Sequence, residues 1–191
     1  PGHTVISYVN TTAAVKALTD IVVTSSNAKQ IVDSLPINEK IIFGPDKNLG
    51  SYINNITGRN MLLWDGACHV HEEFSLKKLL ELKQSNPSAL ILAHPECRQY
   101  ILEIADHVGS TSSILKFATK SQNDEFIIAT ESGIMHELRK QNPKKTFIPA
   151  PPEDSTLTCN ECSYMKLNTL EKLYLGLKNE EPELIVDENI I

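Results

Sequence analysis

A histidine, a glutamate and a cysteine stand together in His94-Pro95-Glu96-Cys97, directly after the apolar run Leu90-Ile91-Leu92-Ala93. His94 and Glu96 can form a general acid/base pair: imidazole titrates near neutrality, a carboxyl can be tuned toward it, and a strand tip is open to substrate. An inert solvated pair has the same spacing. Cys97 reads as a buried structural thiol. A second chemistry lies in Thr24-Ser25-Ser26-Asn27 and Gly109-Ser110-Thr111-Ser112, each of which follows a short apolar run and opens a helix. Hydroxyls there cap free amides, and the same amides bind phosphate or carboxylate. Plain capping explains either segment alone; the recurrence of both points to an anion site without arginine. Tyr8 and Asn10, closing the segment SYVN, add a phenol and an amide that alone are weak evidence.

The cysteines, Cys68, Cys97, Cys159 and Cys162, offer a third chemistry. Cys159-x-x-Cys162 is half of a zinc site whose other ligands would come from scattered candidates such as Cys68, His69 and His71. As a redox pair it lacks a strand-then-helix context. In a further arrangement separate loops each send one thiolate to a shared centre, which suits an iron–sulfur cluster with one open iron. His69, His71 and Glu72 begin a helix after Cys68 and read as surface or capping residues. His3, His107 and His136 carry no supporting context, and Glu180 to Glu183 reads as a solvated tail.

The elements that must position these groups are short aliphatic runs alternating with helical stretches: TVISYV, IVV, KIIF, NMLLW, ALILA, EFIIA and KTFI. That alternation predicts α/β units on mostly parallel sheets. The pattern occurs twice. An offset of 85 that sets Ser25 over Ser110 brings KIIFGPDKNLGSYI to EFIIATESGIMHEL and, within one residue, ALTDIVVTSSNA to EIADHVGSTSSI. Tyr8-Val9-Asn10 then meets His94-Pro95-Glu96 within one residue, and Cys68 maps to about position 153, near Cys159 and Cys162. The expected fold is therefore α/β, with repeated lobes over residues 1–82 and 83–176 and a tail over 177–191. In such units the carboxyl ends of the strands form the site, so the SYVN and HPEC tips should converge.

Size and charge narrow the function further. With 191 residues, 41% of them hydrophobic and 22% charged, the chain suits a globular protein. A formal charge of -6 argues against a nucleic-acid surface. No run approaches the roughly 18 to 20 apolar residues of a membrane span, and no secretory signal opens the chain, so the expected location is the cytoplasm. Residue 1 is Pro1, with a strand following within a few residues, and an upstream segment is expected to be missing.

The motifs YVNTTAAVKA, TSSNA, PDKNLG, WDGACHVHEEF, HPEC, GSTS, ATESG and CxxCSYMKLNTLEKL, in this order from about Val5 to Leu177, resemble those of the quinolinate synthase family. The resemblance implies three pseudo-symmetric, three-layer αβα lobes around one 4Fe–4S cluster, two of them present here. It makes Cys68 and Cys162 cluster ligands of the second and third lobes, and Cys97 and Cys159 non-ligands. It implies condensation of iminoaspartate, supplied by an L-aspartate oxidase, with dihydroxyacetone phosphate to give quinolinate for NAD biosynthesis. The open iron would bind a substrate oxygen or carboxylate and assist dehydration. By the same resemblance Tyr8 and Asn10 contact substrate, Ser25 and Thr111 hold its carboxylate and phosphate, and His94 and Glu96 form the acid/base pair, with Glu96 transferring the proton. The family's first lobe, with its own cysteine, histidine and serine, is absent, so little or no activity is expected of this chain alone. Competing readings are a zinc- or iron–sulfur-binding module without catalysis, and a cluster-free phosphosugar isomerase or aldolase working through His94 and Glu96.

Overall fold

The computed structural model describes residues 2–154 and 160–187; Cys159 lies outside them. The first half runs β1 (Thr4–Tyr8), α1 (Ala13–Ala17), β2 (Ile21–Val23), α2 (Ala28–Ser34), β3 (Ile41–Gly44), α3 (Lys47–Thr57) and β4 (Leu62–Leu63). Helices α4 (His69–Glu72) and α5 (Leu76–Ser85) lead to β5 (Leu90–Ala93), α6 (Gln99–Leu102), β6 (His107–Val108), α7 (Thr111–Lys120), β7 (Glu125–Ala129), α8 (Ile134–Gln141) and β8 (Thr146–Pro149). Helices α9 (Ser163–Lys166) and α10 (Leu170–Asn179) follow.

The strands form two parallel sheets in the same order, β2-β1-β3-β4 and β6-β5-β7-β8. Each expected strand is present. Strand β6, only two residues long and half polar, carries too little pattern to be read in advance. Alternation along the second sheet sends Ile91 and Ile127 to one core, with Phe74, Leu79 and Ile101. Leu92, Phe126 and Ile128 go to the other, under Ile114 and Leu138. The first sheet packs Ile6, Val23, Ile41 and Phe43 against Val32, Leu49 and Ile53 of α2 and α3. Gly50 permits that approach, because a Cβ there would meet Leu63 Cδ2 at 2.6 Å.

Strand registers correct the repeat spacing. Ile6 faces Ile21 and Leu92 faces His107, 86 residues on; Ile41 and Phe126, partners of Thr4 and Leu90, are 85 apart. One residue is thus lost between the second and third strands of the second sheet. Ser25 corresponds to Thr111 rather than Ser110, and Tyr8 and Asn10 correspond to His94 and Glu96 with no shift. An aspartate reinforces the match. Asp20 Oδ2 accepts the Val5 N–H at 2.7 Å, and Asp106 Oδ2 accepts that of Ile91 at 2.8 Å.

A division at residue 82 would cut α5, whose Leu79, with Phe74 before it, packs in the second sheet's core. A tail from 177 would begin inside α10. Among the described residues no helix is long and apolar enough to cross a membrane.

Candidate active site

In each sheet the chain leaves the central strand to one side for the second strand and returns to the other side for the third. The crevice beyond the carboxyl ends of those central strands is the natural ligand site of such an order. Tyr8 and Asp46 stand there in the first sheet, and His94, Glu96, Thr130 and Glu131 in the second. The two crevices meet. His94 Nε2 lies 3.1 Å from Ser25 Oγ, and the Asn48 amide donates to the Glu96 carbonyl at 3.1 Å and to Glu72 Oε1 at 2.7 Å.

Glu96 is the buried centre of this junction, 6% exposed. Its Oε2 lies 3.0 Å from His71 Nδ1 and 3.4 Å from His94 Nδ1, while its backbone N–H donates to His94 Nδ1 at 3.4 Å. The His71 approach is short but off the axis of an aligned hydrogen bond, so it is a close contact between a ring dipole and a carboxylate. His71 Nε2 meets Thr130 Oγ1 at 3.0 Å, and its ring stacks on His94 at 4.7 Å. Burial alone would raise the Glu96 carboxyl; the two imidazoles outweigh it and bring the pKa to about 2. Burial pushes His71 the other way, below the ordinary imidazole range. A neutral imidazole thus rests beside an ionised carboxylate in a dry pocket.

Tyr8 faces the same pocket. Burial and then the Glu96 charge lift its phenol to about 12, so it stays a donor, although a hydrogen bond with Ser25 works against the shift. Cys68 is raised to about 11 by burial, partly offset by N–H groups of His71 and Val70, and then by the Glu96 charge. Asp46 is raised to about 6, again chiefly by burial. Its Oδ2 accepts the Cys68 N–H at 2.8 Å, as Glu131 Oε1 accepts the Cys162 N–H at 3.3 Å. The loops carrying these cysteines touch, with His69 and Tyr164 edge to face at 5.5 Å.

Of the residues singled out from the sequence, Tyr8, Ser25, Cys68, His94 and Glu96 come together here. Cys162 stands at the head of α9, in the neighbouring loop. Asn10 is exposed in the turn after β1, and Thr111 is exposed at the start of α7, where the Ser110 hydroxyl caps the Ser113 N–H. Cys97 is fully buried and donates its S–H to the Ala129 carbonyl at 3.3 Å. His71 overturns its surface reading: α4 points it inward, and it is 5% exposed. Thr130, Asp46 and Glu131 were also missed, although the repeat aligns PDKNLG with TESG and so pairs the two acids.

The family model described as Quinolinate synthetase A protein matches residues 1–191. This chain belongs to the quinolinate synthetase A family. Relatives of this family named quinolinate synthase include one from Synechocystis sp., 55% identical over 188 residues, which are 98% of this chain and 59% of that protein. Another, from Chloroherpeton thalassium, is 53% identical over 190 residues, the full chain and 59% of that protein. The chain thus spans about 59% of the length of these curated relatives.

Two sets of possible metal donors stand among the described residues. Cys68 Sγ, a His71 ring nitrogen and a Glu96 oxygen lie within 4.8 Å of one another and could hold a metal ion. Cys68 and Cys162 form the other set. Both thiols are free and half-buried, and each backbone N–H is clamped by an acid. Such sulfurs fit a thiolate-held iron–sulfur group.

Proposed function

We propose that the whole protein is a quinolinate synthase, condensing iminoaspartate with dihydroxyacetone phosphate, with release of phosphate and water, in de novo NAD biosynthesis. The junction of Ser25 with His94 carries this reading, because it joins the tips of two sheets into one polar, anion-accepting cleft. Cys68 and Cys162 would hold a 4Fe–4S cluster with a third thiolate from a further lobe. When bound, that cluster supplies a Lewis-acidic iron for polarising a substrate oxygen. The remaining chemistry belongs to side chains of this chain. The Ser25 hydroxyl and His94 Nε2 orient an anionic substrate group, and the Tyr8 phenol, held protonated, donates to it. Glu96, ionised and shielded from water, takes up the proton that His94 helps to steer. Asn10 and Thr111, exposed on the cleft's approaches, are taken as substrate contacts. The repeat units correspond to two of three lobes, an L-aspartate oxidase is the source of iminoaspartate, and the cytoplasm is the site of action.

The test is iron and sulfide content with the visible spectrum, on anaerobically purified chain joined to the first lobe of a relative. A brown protein with about four irons that are lost in Cys68→Ala and Cys162→Ala supports the cluster, and quinolinate formation then tests the reaction. A second reading rests on the Cys68, His71 and Glu96 set, whose sulfur, nitrogen and oxygen donors suit zinc. Colourless protein carrying stoichiometric zinc that is lost in His71→Ala but kept in Cys162→Ala would favour it.

A further inference from the structure

Two imidazoles press on one carboxylate, and their surroundings differ. His94 Nδ1 lies 3.4 Å from both the Glu96 backbone N–H, which donates to it, and Oε2; the backbone donor screens its lone pair from the carboxylate, and its proton sits on Nε2, toward Ser25. His71 has the reverse demand. Its Nδ1 lies 3.0 Å from the Glu96 carboxylate, off the axis of an aligned hydrogen bond, and a ring lone pair there would be repelled, so that nitrogen carries the proton. Its Nε2 faces the Thr130 hydroxyl, which can donate to it. The ring has little freedom: Thr130 at one end, His94 stacked on its face, Phe74 tilted against it at 6.2 Å, and 5% exposure. Among the described contacts, both imidazoles engage Oε2 of Glu96, and no hydrogen bond or ion pair uses Oε1.

We propose that His71 is a positioning residue for Glu96: its Nδ1–H holds Oε2, Thr130 and His94 fix the ring, and Oε1 is left as the oxygen available to substrate. The importance of Oε1 rests on the reading of Glu96 as the proton-transfer group; the proton on His71 Nδ1 does not. A carboxylate fixed by a locked neighbour is worth more in catalysis than one free to rotate, and losing such a support typically costs about 10- to 100-fold.

The experiment has two arms. In the chain labelled with 15N-histidine, ring nitrogen shifts read the tautomers directly. The expected result is Nδ1–H on His71 and Nε2–H on His94, with Thr130→Val shifting the His71 Nε2 resonance and leaving the proton on Nδ1. A proton found on His71 Nε2 alone overturns the proposal. In the full-length enzyme, His71→Asn keeps a donor near the Nδ1 position and His71→Gln one near Nε2. His71→Gln should lower kcat about 10- to 100-fold at similar KM, and His71→Asn should recover most of it. Equal losses in the two variants, or a loss confined to KM, overturn it. If wild-type enzyme forms no quinolinate, the reading of Glu96 fails, and the tautomer arm still decides the role of His71.

Discussion

Asp46 and Glu131 occupy equivalent places in the two halves of the chain, and each hydrogen-bonds the backbone N–H of the cysteine that ends its half. Asp46 Oδ2 accepts from Cys68 at 2.8 Å and Glu131 Oε1 from Cys162 at 3.3 Å. The second oxygen of each acid accepts an N–H at the start of the next helix, Leu49 and Gly133, both at 2.7 Å. A carboxylate divided in this way ties the head of a helix to the departure point of a cysteine. Asp46→Ala removes both bonds and should cost about 1 to 2 kcal/mol, the usual loss of an N-cap with a further buried bond. Urea denaturation of the metal-free chain measures this. The same substitution should reduce iron bound by the three-lobe assembly.

Cys97 separates packing from ligation. Its thiol is fully buried among Ile91, Ile101 and Ala129. Cys97→Ala should lower stability by about 1 kcal/mol and leave metal content unchanged. Urea midpoints and metal analysis on the same samples check both halves.

Glu96→Gln keeps the side chain's size and removes its charge. In the full-length enzyme kcat should fall about 10²- to 10⁴-fold, the range for loss of a general acid or base. Ser25→Ala, which deletes one neutral donor to an anionic group, should chiefly raise KM. Steady-state rates of quinolinate formation distinguish the two.

Acid should destabilise the metal-free chain through two groups and spare it through a third. Glu96 is depressed to about 2 when folded, so its contribution is complete above its usual 4.5 and is lost as pH falls toward 2. His71, lowered by burial, resists a proton that the unfolded chain accepts below 6.5, so it also favours unfolding in acid. Asp46, raised to about 6, acts in the opposite sense, since its buried charge is relieved as pH falls through 6. Urea midpoints across this range should show a steep loss below pH 4.5 that Glu96→Gln flattens. Asp46→Asn should remove the relief between pH 6 and 4.

Helix α10 spans ten residues and buries none of them, whereas β5 and β7 lie within two cores. Helices shorter than about 12 residues are marginal without packing. Hydrogen exchange of this chain should therefore release the α10 amides long before those of Ile91 and Ile127.

The parallel α/β architecture, the twofold repeat and the polar strand tips are legible in the sequence, because aliphatic runs and turn chemistry are local signals. Ile6 and Leu92 read as strand interiors wherever they occur. Strand pairing set the register of the repeat: it places one lost residue between the second and third strands of the second sheet, which makes Thr111 rather than Ser110 the partner of Ser25. The tertiary structure also decided His71. In HVHE the two histidines project to different sides of a short helix, and only packing against Thr130 and His94 selects which one loses its water. Burial is a property of the neighbours, and those of His71 lie 23 and 59 residues away along the chain.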